Sequence, residues 1–151
     1  KEDEKYYGML GLLHDIDWGI TKDNSQTHLT KAPQILRDAG FDEEFIQTLV
    51  SHGYGFDCAS LSDKKRTRNI EYALAAGETV TGLIHAYALI RGRKISDMEV
   101  KGLMKKYKDR QFAEGCDREI IAEIEHLMPL EEFFGLAIEA MKGIKEEAGL
   151  T

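Results

Sequence analysis

The chain has 151 residues, of which 42% are hydrophobic and 31% charged, a composition typical of one soluble globular domain. No apolar run approaches the roughly 18 residues that a membrane-spanning helix requires, and the first five residues lack the pattern of a signal peptide. The net charge of −7 disfavours nucleic acid as a partner. We therefore expect a cytoplasmic protein that binds no membrane, and a homo-oligomer remains compatible with these properties.

Charge is unevenly distributed along the chain. Residues 63–110 contain twelve Lys or Arg against six Asp or Glu, a local charge of +6. Such a segment could attract a small anion, or it could form the solvated face of ordinary helices. The two cysteines, Cys58 and Cys116, share no CxxC spacing, which favours free thiols in a reducing compartment over a disulfide.

Helical periodicity runs through the whole chain, and strand-like alternation is nearly absent. In chain order, the first predicted elements are a helix over 4–14, a loop over 18–24, a helix from 27–30 to 40, and a helix from the N-cap Asp42 to about 52. A polar surface loop over 59–68 and a long central helix over 69–90 follow. The last three are a helix from a capping box at Ser96 and Glu99 to about 107, a helix capped by Asp117 to about 128, and a helix over 130–147. This pattern predicts an all-α bundle of about seven helices in a single domain over 1–151.

His14 and Asp15 stand side by side directly after the first apolar helical run. A buried carboxylate without a partner costs several kcal/mol, so it must be paired, protonated or bound to a metal. The nearest cationic residues in sequence, Lys5 and Lys22, lie more than one helical turn from Asp15. A divalent cation is therefore the first partner that we consider.

Three further side chains are candidate metal ligands: His28 before the second helix, His52 at the end of the third, and Glu78 within the long apolar helix. Imidazoles combined with carboxylates suit Zn, Fe, Mn, Co or Ni, and additional carboxylates favour Mn, Mg or Fe. Each residue also has a structural interpretation, because a histidine at a helix end is commonly half-exposed and a glutamate can face solvent or pair with lysine.

The remaining polar residues near these candidates have simpler interpretations. His85 and His126 are predicted to be structural, because the first lies on a core helix and the second in an acidic amphipathic segment. Asp17 could orient a metal ligand from behind, or it could cap the loop that follows it.

The ordered set of motifs resembles the HD superfamily of metal-dependent phosphohydrolases over nearly the whole chain. The matching segments are Gly11–Asp17, His28 before Ile35–Phe41, Ser51–Gly53, Glu78–Ile84, and the basic stretch 94–108 with Phe112 and Ala113. The resemblance implies an HD-like helical bundle around one or two divalent ions, of Mn, Mg, Fe, Co, Ni or Zn.

The resemblance also implies a role for each candidate ligand. His14 and Asp15 match the defining pair, with Asp15 able to bridge two ions, and His28 and His52 resemble the further histidines of dinuclear members. Glu78 stands where the family usually has its last aspartate. The first histidine of the family would lie before Lys1. The chain could lack the helix that carries it, close the metal site in another way, or have no intact site, and we expect the first of these.

The function implied is hydrolysis of a nucleotide or another small phosphorylated substrate, with Asp15 as the catalytic residue that holds the ion and orients the attacking water. Four basic residues are candidate contacts for the substrate phosphate, although each could equally be solvated helix surface: Arg91, Lys94, Lys101 and Lys105. The alternative is a catalytically degenerate HD domain that senses nucleotides or phosphate or binds another protein. A departure at Glu78 and the expected absence of the first histidine favour that alternative.

Overall fold

A computed structural model describes residues 4–151, and this part of the chain is all-α without a strand, as the sequence predicts. The α-helices are α1 Glu4–Leu13, α2 Trp18–Thr21, α3 Ala32–Asp38, α4 Glu43–Val50, α5 Asn69–Ile90, α6 Val100–Lys108, α7 Arg118–Ala122 and α8 Leu130–Gly143. Short 3₁₀ turns lie at Ser25–Thr27, Ser51–Gly53 and Glu123–His126.

Two of the predicted helix caps are present. The Asp42 carboxylate accepts the backbone N–H of Phe45 at 2.8 Å, and the Asp117 carboxylate accepts that of Glu119 at 2.8 Å. These bonds satisfy N–H groups that the first turn of a helix otherwise leaves without partners.

The capping box predicted at Ser96 and Glu99 is wrong. Helix α6 begins at Val100, and its N-cap Glu99 makes no side-chain cap bond. The preceding segment is instead a turn in which the backbone N–H of Met98 donates to Ile95 O at 2.9 Å. Both of these side chains are buried in the core, so burial of apolar surface decides the conformation of this segment.

Three other predicted boundaries also differ. The predicted loop at 18–24 contains the four-residue helix α2, and the second predicted helix begins at Ala32 rather than at 27–30. The last helix ends at Gly143 instead of 147. The first two differences arise from Asp17, whose backbone carbonyl accepts from Thr21 and whose side chain accepts the N–H of Ala32.

The chain divides into two compact units, Lys1–Ala75 and Ala76–Thr151, each with its own apolar core. The buried side chains of the first core are Leu10, Leu29, Ala32, Leu36, Phe45, Ile46, Leu49, Cys58, Leu61 and Leu74. Those at the centre of the second include Val80, Leu83, Ile84, Ile95, Leu103, Ile121, Ile124, Phe134 and Ile138. The single domain predicted over 1–151 stays a prediction.

The two cysteines are both free, as predicted, and each unit contains one of them. Cys58 is buried in the first core, and Cys116 is partly buried against the second. Burial raises the pKa of both thiols. Such protected thiols are poor nucleophiles.

Among residues 4–151, α5 is the one helix whose length and composition alone would allow it to cross a membrane. Core helices of soluble proteins pass the same test, and α5 contributes buried residues to both cores, Leu74 to the first and Leu83 to the second. The cytoplasmic location stays a prediction.

Candidate metal centre

Asp15 lies in the turn between α1 and α2. The turn is closed by two backbone bonds, from Ile16 N to Leu13 O at 2.9 Å and from Trp18 N to Asp15 O at 2.8 Å. The Asp15 side chain is 48% exposed, so its carboxylate is accessible to solvent while it faces the neighbouring histidines. The termination of α1 by this turn therefore presents the carboxylate at the surface of the first unit.

Asp17 fixes the position of His28. Its fully buried carboxylate accepts the ring Nδ1 of His28 at 3.0 Å. It also accepts the backbone N–H groups of Leu29, Lys31 and Ala32 at 3.0–3.2 Å. Asp17 makes no side-chain cap bond to α2, which directly follows it; its carboxylate instead satisfies backbone N–H groups at the start of α3 and orients the imidazole of His28.

His52 lies in the 3₁₀ turn Ser51–Gly53, which directly continues α4. Its ring Nδ1 lies 2.6 Å from Leu49 O, and only 5% of the residue is exposed. The buried guanidinium of Arg66 donates to the carbonyl of His52 from the loop before α5. The ring and the backbone of His52 are thus both held within the first unit.

The ligating atoms of Asp15, His28 and His52 form a small triangle. The Nε2 atoms of the two histidines are 3.3 Å apart, and they lie 3.3 and 3.8 Å from Asp15 Oδ1. A point equidistant from the three atoms lies about 2.0 Å from each, which matches Zn–N and Zn–O bond lengths of about 2.0–2.2 Å. The three residues can therefore hold one divalent ion without rearrangement, which makes them a candidate metal site.

The protonation of the two rings follows from their hydrogen bonds. A carbonyl oxygen only accepts, so Nδ1 of His52 must donate to Leu49 O, and the ionised Asp17 likewise takes the Nδ1–H of His28. In the neutral rings, both Nε2 atoms then present lone pairs toward Asp15 Oδ1. Three electron-pair donors converge there, which requires a proton or a cation among them.

His14 faces the other oxygen of the Asp15 carboxylate. Its Nδ1 lies 2.8 Å from Gly11 O, and its Nε2 lies 3.5 Å from Asp15 Oδ2. The ring packs edge-on against His52, with centroids 5.2 Å apart. His14 is not part of the triangle, but this placement leaves Asp15 with one oxygen toward each side, as a bridging carboxylate would have.

The histidines also change the acidity of Asp15. When its Nε2 carries a proton, the His52 imidazole contributes most to lowering the pKa of this carboxyl, through a hydrogen bond. Partial burial opposes the shift, and the positive charges of protonated His14, His52 and His28 add to it. Asp15 is therefore held ionised, the form in which a carboxylate binds metal.

Glu78 lies on α5 in the second unit, where its carboxylate accepts the hydroxyl of Thr79 at 2.7 Å. Its role as a metal ligand stays a prediction. His85 Nε2 contacts Ala148 O at 3.3 Å, and His126 is exposed at the end of a 3₁₀ turn. The contact with Ala148 is consistent with the structural role predicted for His85, and the role of His126 stays a prediction.

The four basic candidates all belong to the second unit. Arg91 donates to the Asp97 carboxylate at 2.6 Å, and Lys94 lies 3.9 Å from the same residue. Lys101 and Lys105 are exposed on α6, one helical turn apart. Contact of these residues with a substrate phosphate stays a prediction.

Sequence reasoning missed the part played by Arg66. The loop 59–68 was predicted as polar surface, yet Arg66 is 7% exposed and donates to three carbonyls of the His52 turn. Arg66 stands in the continuous polar run 63–68, whose sequence is that of a surface loop and gives no signal for a buried arginine. Only the tertiary fold reveals that the side chain turns inward.

Comparison of the chain with models of protein families, with curated proteins and with solved structures finds no match. The fold and the site geometry alone therefore define the class of protein. It is an all-α protein with a candidate site for a divalent ion, made of two histidines and one aspartate.

Proposed function

We propose that the chain is an HD-type, metal-dependent phosphohydrolase that acts on a nucleotide or another small phosphate ester. The observation that carries the proposal is the triangle of Asp15 Oδ1, His28 Nε2 and His52 Nε2, whose centre lies at a metal–ligand distance from all three atoms. The order of these residues after the His14–Asp15 pair supports the HD assignment.

Each residue has a defined part in the proposed reaction. His28 and His52 would hold the ion through Nε2, and Asp15 would hold it through Oδ1. When bound, a divalent ion supplies a Lewis acid that acidifies water and neutralises charge on phosphoryl oxygens. Because Asp15 is half-exposed and ionised, its second oxygen could accept a hydrogen bond from the attacking water and so orient that water toward phosphorus.

The three protein ligands leave coordination positions for substrate and water, as in catalytic rather than closed structural metal sites. Phosphate is an anion, so cationic side chains beside it would favour binding. That Arg91, Lys94, Lys101 and Lys105 of the second unit supply these side chains stays a prediction from the sequence.

The first experiment measures metal binding by the full chain. After removal of metal with a chelator, addition of Mn²⁺, Co²⁺ or Zn²⁺ at 100 times Kd should stabilise the fold by about 2.7 kcal/mol. For a chain of this size that corresponds to roughly 5–10 °C in Tm. His28→Asn and His52→Asn should abolish the shift, while the exposed His126→Asn should retain it. The site assignment fails if no metal raises Tm.

The second experiment measures activity on a panel of aryl phosphates, phosphodiesters, nucleoside monophosphates and cyclic nucleotides, with each metal. We expect hydrolysis of at least one class, and Asp15→Ala should reduce kcat at least roughly 100-fold because it removes both an ion ligand and the group that orients water. Activity that survives this substitution would refute the assigned site. Metal binding without any hydrolysis would favour the sensing or interaction module instead.

A further inference from the structure

We propose that Arg66 is a positioning residue for the metal centre: it holds the turn that carries His52, and so places Nε2 of His52 where the ion requires it. This inference rests on the proposed metal site, to which it adds a residue that does not itself touch the ion.

The contacts of the Arg66 side chain converge on one turn. Its Nη1 donates to Ser51 O at 2.8 Å, to His52 O at 3.2 Å and to Tyr54 O at 2.9 Å. The donor comes from a loop 12–15 residues further along the chain. One guanidinium thus gathers three backbone carbonyls around the residue that supplies a ligand.

These carbonyls need such a donor because of where they lie. The last carbonyls of a helix have no partner within it, and Ser51 and His52 are buried. Ser51 O also accepts the backbone N–H of Tyr54 at 3.1 Å, so the carbonyl that depends most on Arg66 is that of His52. A buried carbonyl without a donor destabilises its conformation, so the turn would move to reach water if Arg66 were removed. Ligand atoms tolerate misplacement of only about 0.2 Å, and the ring of His52 is fixed to the same turn through Leu49 O.

Arg66 is itself held in place. Its backbone carbonyl accepts the hydroxyl of Tyr72, on α5, at 2.9 Å. On the other side of the turn, a Cβ added at Gly53 would overlap Leu29 Cδ1, so the turn is already packed closely against the core. The turn is therefore held on one side by hydrogen bonds from Arg66 and on the other by apolar packing against the core.

The test compares Arg66→Gln and Arg66→Lys with the wild-type chain, and uses Arg68→Gln as the matched control. Arg68 belongs to the same loop, but its guanidinium contacts Glu71 and Thr48 instead of the His52 turn. Two properties are measured: the affinity for Co²⁺ with its visible absorption spectrum, and the NMR signature of the His52 tautomer in the metal-free protein.

We expect Arg66→Gln to raise the Kd for Co²⁺ by roughly 10- to 100-fold, the range found for residues that orient metal ligands. Arg66→Lys should fall between this variant and the wild type, and Arg68→Gln should change Kd less than about threefold. In the metal-free protein, Arg66→Gln should also weaken the preference of His52 for a proton on Nδ1.

An unchanged Kd together with an unchanged His52 tautomer in folded Arg66→Gln would overturn the proposal. If Arg66→Gln does not fold, Arg66→Lys decides in the same way, because its shorter side chain cannot reach all three carbonyls. If the wild type binds no Co²⁺, the proposed function fails, and the tautomer measurement still judges Arg66 independently.

Discussion

Asp17 connects the candidate metal site to the helical scaffold through a single buried carboxylate. One of its oxygens faces the ring of His28 and the N–H of Leu29, and the other accepts from Lys31 and Ala32. A buried carboxylate is tolerated only when such donors replace its water. The same four contacts start α3 and aim the imidazole of His28.

We predict that Asp17→Asn lowers the free energy of unfolding by about 3 kcal/mol, because an amide NH₂ would face hydrogen-bond donors and leave buried groups unpaired. Urea denaturation measures this loss, and Co²⁺ affinity should fall as well because His28 loses its acceptor. The exposed Asp23→Asn is the control and should stay within about 0.5 kcal/mol of wild type. Equal losses in the two variants would contradict the assignment.

Glu71 gives a prediction on pH dependence. Burial alone would raise the pKa of this carboxyl, but N–H donors from Thr67 and Arg68 and the Arg68 guanidinium together lower it below its ordinary value of 4.5. A lowered pKa in the folded state means that the ionised form stabilises the fold above about pH 4.5, and that this contribution is lost as the pH falls further.

Glu71→Gln should therefore be less stable than wild type by about 1–2 kcal/mol at pH 7, with the gap narrowing below pH 4. Urea denaturation at several pH values measures it. The exposed Glu114→Gln should show no such gap at any pH. If the difference in unfolding free energy between wild type and Glu71→Gln grew as the pH fell, the prediction would be wrong.

At the residue scale, the sequence predicts the candidate metal ligands better than the residues that hold those ligands in position. Asp15, His28 and His52 could be selected by residue type and position at helix ends, and the structure brings their ligating atoms together. Arg66 could not be selected, because its inward orientation depends on carbonyls that are 12–15 positions away. Support from distant backbone leaves no local pattern in the sequence.

At the scale of elements, two glycines test opposite effects of adding a methyl group. Gly53 lies in the His52 turn, where a Cβ would overlap Leu29 Cδ1 and come within 3.2 Å of Leu61 Cδ1. Gly8 lies in α1 with open space around the same position.

Gly53→Ala should therefore lower the free energy of unfolding by about 1–3 kcal/mol through overpacking. Gly8→Ala should raise it by about 0.5–1 kcal/mol, because alanine loses less backbone entropy in a helix. Thermal or urea denaturation of the two variants gives both values. Changes of the same sign would show that the turn can yield to the methyl group.

Helices marked by an apolar pattern or an N-cap residue could be predicted from the sequence. Helices whose ends depend on contacts between distant residues could not. The long apolar pattern predicts α5 with the bounds Asn69–Ile90, and Asp42 and Asp117 predict two helix starts. The start of α3 and the existence of α2 depend instead on hydrogen bonds to Asp17, which propensity does not contain.

At the scale of the whole molecule, the chain has two apolar cores, and the metal triangle belongs to the first. Binding energy at that triangle adds to the stability of the unit that forms it. The second unit has its own polar support, since Arg118 donates to the carbonyls of Tyr107, Ala113 and Cys116. Each unit thus uses one buried arginine to gather backbone carbonyls.

The labelling rates of the two cysteine thiols report on the two units separately. A thiol reagent reaches Cys58 only when the first core opens, so its labelling rate reports that opening, and Cys116 reports on the second unit. We expect Mn²⁺, which binds thiolates weakly, to slow the labelling of Cys58 by up to roughly 100-fold at 100 times Kd. Cys58→Ala and Cys116→Ala separate the two signals, and a Cys58 rate that ignores Mn²⁺ would mean that the ion does not hold this core closed.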